Sequence, residues 1–126
     1  MRLNVLAVDD SRTIRDMLKL TLTEAGFEAS LATDGVHGLE ILDGLNPDAI
    51  ISDINMPRLD GFGFIEAVRA RPAHRATPIL VLTTENVPEL KARARAAGAT
   101  GWVVKPFDPD KLVRALRMVC GQGGGT

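Results

Sequence analysis

Six polar residues stand at the carboxyl edges of four short apolar runs. Asp9 and Asp10 follow the run at 5–8, Asp53 follows 49–52, Thr83 and Thr84 follow 79–82, and Lys105 follows 102–104. Two carboxylates about 4 Å apart repel by about 4 kcal/mol at an effective dielectric of about 20. Three that converge therefore need positive charge beside them. Asp9, Asp10 and Asp53 supply −3, Lys105 supplies +1, and one divalent cation balances the sum. All the candidate donors are hard oxygens with no His or Cys among them, which selects Mg²⁺, with Mn²⁺ as the alternative, over Zn²⁺. A metal, an ammonium and a free carboxylate are the parts of phosphoryl transfer to an aspartate. Asp53 stands alone on its run and is the expected nucleophile, while Asp9 and Asp10 are the expected metal holders.

The elements that must bring these groups together follow from the pattern of apolar residues. Five runs have strand length, at 5–8, 28–32, 49–52, 79–82 and 102–104. "AIIS" and "ILVL" are apolar at successive positions, as parallel strands covered on both faces require. The more polar run at 28–32 suits a sheet edge. Between the runs lie segments of helical period. In the first, Ile14, Leu18, Leu22 and Ala25 share a face, Ser11 offers an N-cap and Gly26 a stop. Helices at 35–45, 61–70, 88–97 and 108–120 complete the alternation, with Pro88 suited to a first turn and Gly98 to a stop. The fold class is α/β, a doubly wound, flavodoxin-like (βα)5 with a five-stranded parallel sheet. Such sheets bind ligands outside the carboxyl ends of their strands, where strand order reverses. A sheet with the first strand between the third and fourth would gather the three acids, a threonine hydroxyl and Lys105 in one cleft.

Length and composition set the outer limits. A chain of 126 residues, 45% hydrophobic and 25% charged, suits one domain that buries its own core. The domain is expected over 1–120, with 121–126, "GQGGGT", as a flexible Gly-rich tail. The start is too short in apolar residues for a signal peptide and no run approaches a membrane span, so a cytoplasmic protein is expected. Cys120 is the only cysteine and has no metal-like or nucleophile-like context. The net charge of −1 conceals an asymmetry: ten acids face four bases up to residue 56, and six face eleven after it. That asymmetry bears on partner steering. Without a continuous basic run, and with aromatics at only 4%, nucleic acid is not an expected partner.

Four separated stretches, "VLAVDDS", "DAIISDINMPRLDGFGFI", "TPILVLTTE" and "GATGWVVKPFDPDKLVRAL", occur in an order that resembles bacterial response-regulator receiver domains, and among these the single-domain chemotaxis regulators. The resemblance covers residues 3–120. It implies that Asp53 is a phosphoacceptor served by a sensor histidine kinase of the chemotaxis type. It further implies Asp10 as a direct Mg²⁺ ligand, Asp9 as one acting through water, and the backbone carbonyl of Asn55 as a third. Lys105 would pair with the phosphoryl group, and the Lys105-Pro106 bond would be cis.

By the same resemblance Thr83 is the switch hydroxyl, a choice over Thr84 set by its place 30 residues past Asp53 and 22 before Lys105. Trp102 takes the position of the coupled aromatic, where Tyr or Phe is more usual. Asn55 and Glu85 would tune loss of the phosphoryl group. Met56, Pro57 and Gly61 would shape the loop after Asp53, and Leu39, Ile41, Ile65 and Val68 are read as core. Each position also has a plainer reading. An acid after a strand caps a helix, Lys105 is a strand-end lysine, and Trp102 is a half-buried strand aromatic. One acid satisfies a cap; the second of the pair needs another reason.

The implied function is a signalling switch that catalyses its own phosphorylation and dephosphorylation rather than a conventional enzyme, acting as a monomer. Its output surface would be the fourth helix, fifth strand and fifth helix, with Lys91, Arg95, Trp102, Lys111 and Arg114 facing an acidic or amphipathic partner, the flagellar motor switch by resemblance. Arg93 and Arg117 lie in the same helices, and a solvated face explains such charges equally well. A phosphorelay intermediate or phosphate sink is the nearest alternative. An aspartyl-phosphate hydrolase would want an acid two residues after the nucleophile, where this chain has Asn55. A dinucleotide-binding module would want a Gly-rich turn where it has "DDSRT".

Overall fold

The computed structural model describes residues 2–124, with side chains to residue 120. Five strands alternate with five helices: β1 Asn4–Val8, α1 Arg12–Glu24, β2 Glu28–Ala32, α2 Gly35–Gly44, β3 Ala49–Ser52, α3 Gly61–Arg69, β4 Ile79–Thr83, α4 Pro88–Ala97, β5 Gly101–Val104 and α5 Pro109–Gly124. Side-chain oxygens of Ser11, Asp34 and Asp60 cap α1, α2 and α3 by accepting backbone N–H groups that each first turn leaves unpaired. Pro88 opens α4, and Gly98 closes it in the left-handed conformation at φ 119°. A short 3₁₀ turn at Pro72–His74, unmarked by any periodicity, links α3 to β4. Helix α5 runs on to Gly124, over part of the stretch expected as a tail; residues 125 and 126 lie outside the described residues. Among the described residues no helix is long and apolar enough to cross a membrane.

The sheet is parallel throughout, in the order β2-β1-β3-β4-β5. β2 is an edge strand, as its polarity predicts, and β1 lies between β2 and β3 rather than between β3 and β4. The central strand is β3. The physical reason is the doubly wound path: the chain steps outward from β1 to β2, then returns over β1 to β3, and right-handed crossovers in both directions place helices on opposite faces. Alternate residues of each strand feed two cores. Leu6, Val8, Ile50, Ile79 and Val81 pack with Phe64, Ile65 and Val68 of α3, Leu42 of α2 and Ala94 of α4, and half-buried Leu39 and Ile41 lie against them. Val5, Ala7, Ile51, Leu80 and Leu82 pack with Leu18 and Leu22 of α1 and Leu112 and Leu116 of α5. Strand order reverses between β1 and β3, so Asp9 and Asp53 emerge from neighbouring strands.

Gly61 fixes how closely α3 can approach the end of β3. Its N–H donates to the carbonyl of Ile54 at 2.8 Å, and a Cβ there would run into the backbone carbonyl of Asp53 and, at 2.7 Å, the Cα of Ile54. Gly61→Ala is expected to cost about 1–3 kcal/mol by forced backbone displacement. The check is a lowered urea midpoint with an unchanged slope; an unaltered midpoint would contradict the packing.

Away from the strand ends, Arg69 of α3 ties together two turns, donating to the carbonyls of His74 (2.8 Å), Thr77 (2.7 Å) and Gly98 (2.8 Å). His74 is buried beside it, with Nδ1 3.0 Å from Thr77 Oγ1. Burial first, and the Arg71 charge second, push the His74 pKa below its ordinary 6.5. The unfolded chain therefore takes up this proton more readily than the folded one, so the stability is fully present above pH 6.5 and lost as pH falls through the lower folded value. Melting temperature should drop from about pH 7 to about pH 5 more steeply in the wild type than in His74→Gln. Parallel profiles would contradict it.

Candidate functional site

The carboxyl edge of β1 and β3 is acidic and largely shielded from water. Asp9 is 1% exposed and Asp53 7%, whereas Asp10 is open to solvent. Each of the three offers an oxygen, and these atoms lie within 4.8 Å of one another. Backbone donors aim the two buried carboxylates: Ser11 N–H donates to Asp9 Oδ1 at 2.9 Å, and Ile54 N–H to Asp53 Oδ1 at 2.6 Å. The other oxygen of each points at one cation. Lys105 Nζ donates to Asp9 Oδ2 at 2.7 Å and to Asp53 Oδ2 at 3.0 Å.

Lys105 reaches this position from the end of β5, two strands from β3, a separation of about 10 Å that needs its long flexible stem. The peptide bond that follows it, Lys105-Pro106, is cis. Burial works against its charge, but the hydrogen bonds to Asp9 and Asp53 outweigh burial and hold its pKa above the ordinary lysine value. Asp9 shows the opposite balance. Burial is the dominant influence and raises its pKa, with the Lys105 and Ser11 contacts only partly offsetting it. The one ammonium therefore offsets the burial of Asp9 only in part.

The arrangement fits a small hard divalent cation. Three carboxylates converge, neither His nor Cys joins them, and one of the three faces solvent. Asn55, exposed on the loop after β3, is two residues from Asp53. Mg²⁺ suits such a donor set because it binds through a few carboxylates and keeps waters of its own.

Thr83 and Thr84 part company. Thr83 is the last residue of β4 and fully buried, while Thr84 is exposed. Thr83 Oγ1 accepts from Glu85 N–H at 3.4 Å, and the Glu85 carbonyl accepts from the Trp102 indole Nε1 at 3.1 Å. The Glu85 backbone therefore joins hydroxyl and aromatic. Half-buried Trp102 also packs against the α3 side of the sheet.

The expected partner residues divide between two places. Lys91, Arg95 and Trp102 line one hollow of about 40 Å³ between α4 and β5. Arg114 lines a separate groove of about 640 Å³ between α1 and α5 with Arg117, whose Nη2 donates to the Ala25 carbonyl at 3.0 Å. Lys111 is exposed on α5. Arg93 stands 4.0 Å over the Phe62 ring, a cation–π contact between α4 and α3. Spacing gave no sign of the Ser11 and Ile54 backbone donors, since every residue but proline carries the same N–H group.

A sequence model of the response regulator receiver domain matches residues 5–117. A probable chemotaxis protein CheY of Rhizobium etli is 37% identical over 121 residues, covering 95% of this chain and 94% of that protein. The structure of Vibrio cholerae chemotaxis protein CheY4 superposes with a TM-score of 0.92 at 49% identity, over 94% of this chain and 99% of that one. The receiver domain of a sensor histidine kinase from Pseudomonas aeruginosa, with a magnesium ion coordinated in its active-site cleft, superposes with a TM-score of 0.89 at 26% identity, over 96% and 99%.

Proposed function

Because the chain belongs to the response-regulator receiver family, we propose that it accepts a phosphoryl group on Asp53 from a chemotaxis-type sensor histidine kinase and passes the signal to the flagellar motor switch in the cytoplasm. The observation that carries the chemistry is Lys105 Nζ, held at once by Asp9 and Asp53 beside a third acid. A carboxylate oxygen of Asp53 attacks phosphorus; the P–N bond to the donor imidazole breaks, its electron pair stays on nitrogen, and an acyl phosphate forms. Asp10, Asp53 and the Asn55 carbonyl, with Asp9 acting through water, would hold Mg²⁺, which would neutralise charge on the transferring oxygens. Lys105 supplies the second positive charge on the same side. Asn55 and Glu85 tune the later loss of the group to water.

Signal transmission rests on Thr83, Glu85 and Trp102. A Thr83 hydroxyl drawn to the phosphoryl oxygen gives up its bond to Glu85 N–H, and the Glu85 carbonyl carries that change to the indole. Trp102 shares its hollow with Lys91 and Arg95, so the basic output surface feels the site through one backbone segment. Lys111 extends this surface along α5, and Arg114 stands on its α1 flank.

Binding of a motor-switch peptide, titrated with and without phosphorylation, tests the proposal. Affinity should rise at least about tenfold on phosphorylation, a coupling within the usual allosteric range, and Lys91→Glu with Arg95→Glu should remove the binding. Equal affinity in both states, together with onward transfer to a second histidine protein, would favour a phosphorelay.

A further inference from the structure

Arg58 lies in the loop between β3 and α3 with φ 68°, the one non-glycine residue at positive φ among the described residues. Leu59 N–H donates to the Pro57 carbonyl at 2.7 Å across it. A positive central φ closed by an i to i+2 hydrogen bond is the rarer and strained form of γ-turn. Arginine has no intrinsic preference for that conformation, so the surroundings must impose it.

The imposing contact comes from α2. Arg58 Nε donates to Asp34 Oδ2 at 2.8 Å and Nη2 to Oδ1 at 2.9 Å, the two-pronged match of a guanidinium to a carboxylate. Asp34 is itself fixed as the N-cap of α2, accepting from His37 N–H at 2.9 Å, and its side chain is 9% exposed. The next residue is Gly35, where a Cβ would stand 2.6 Å from the Leu59 carbonyl oxygen and 2.9 Å from the Leu59 Cβ. Two consecutive residues of the α2 start thus receive two consecutive residues of the loop. At its far end the same loop is closed by Gly61 N–H on the Ile54 carbonyl. Asn55 lies between these two anchors.

We infer that the Arg58–Asp34 pair is a clamp from α2 that holds the strained turn and so positions the Asn55 carbonyl for Mg²⁺. The inference rests on the proposed role of that carbonyl as a metal ligand. Arg58 is a positioning residue that acts through the loop, its guanidinium being engaged with Asp34. Neither partner stands out in the sequence, because 24 residues separate them and the spacing matches no motif. The pair also gives α2, which carries none of the proposed reacting groups, a share in setting the affinity of the site.

Calorimetric titration of the full chain with MgCl₂ tests the clamp. Arg58→Ala should weaken Mg²⁺ binding about tenfold, the lower end of effects seen when the support of a metal ligand is removed. Asp34→Asn, which keeps an equally good helix cap while losing the charge, should match it. The double variant should bind no more weakly than either single one, because both remove the same contact. Arg58→Asn should recover part of the loss, since asparagine accepts positive φ, an effect that simple loss of a surface charge would not produce. Unchanged binding in Arg58→Ala and Asp34→Asn, or losses that add, would overturn the clamp. A wild type that binds Mg²⁺ beside unaffected variants fails the clamp alone, whereas a wild type that binds none removes the metal site as well.

Discussion

Asp53→Asn is expected to take up no phosphoryl group from an acyl-phosphate donor, under conditions in which the wild type takes up one. The amide keeps the size and the Ile54 N–H contact of the carboxylate, but its nitrogen and neutral oxygen are poor nucleophiles. It also removes one of three negative charges from a cluster whose donor oxygens lie within 4.8 Å of one another. The variant should therefore fold at least as stably as the wild type without metal while binding Mg²⁺ more weakly. This combination separates loss of chemistry from loss of structure. Uptake by the variant at the wild-type level would place the acceptor elsewhere, and a collapsed melting temperature would show that Asp53 serves the fold.

Lys105→Met should cost about 3 kcal/mol without metal, the lower end of what is lost when one partner of a buried ion pair is removed. The lysine side chain is only 10% exposed and that of its partner Asp9 1%. Methionine fills most of the volume and supplies no charge, so Asp9 is left buried opposite Asp53 with no cation. Saturating Mg²⁺ should then raise the melting temperature of the variant more than that of the wild type, because the metal supplies charge that lysine no longer does. Paired denaturant and thermal melts with Mg²⁺ and with chelator give the comparison. A variant as stable as the wild type in chelator would show that Lys105 carries no counter-charge duty.

The groups of the candidate site are legible in the sequence because charged residues are costly at the ends of buried runs. Asp9 and Asp10 together exceed what one helix cap can use, and Asp53 and Lys105 end apolar runs where a solvent-facing loop residue would serve no core. The βα alternation fixes the fold class for a similar reason, since strands continuous in apolar residues must be covered on both faces. Strand order is another matter. The alternation of β1 and β3 with their helices is compatible with several neighbours, and the winding path, which no residue encodes alone, puts β3 at the centre.

The choice of Thr83 over Thr84 illustrates a middle case. The one-residue offset turns one side chain into the sheet and the other into solvent, a difference that follows from the twofold period of a strand once its end is known. Arg114 lies on the expected helix, yet it lines the groove against α1 rather than the hollow that Trp102 shares with Lys91 and Arg95. The Arg58–Asp34 contact and the Trp102–Glu85 hydrogen bond lie beyond any sequence reading, because each joins distant segments through loop geometry.

Asp53 is expected to become an acyl phosphate when Mg²⁺ occupies the acidic cluster beside it. Intact-mass spectrometry of the wild type, incubated with a small acyl-phosphate donor in Mg²⁺ and in chelator, with peptide mapping of the product, tests it most directly. One added phosphoryl group on the peptide containing Asp53, present with Mg²⁺ and absent with chelator, is the predicted result. An unchanged mass in Mg²⁺, or a phosphoryl group on any other residue, would contradict it.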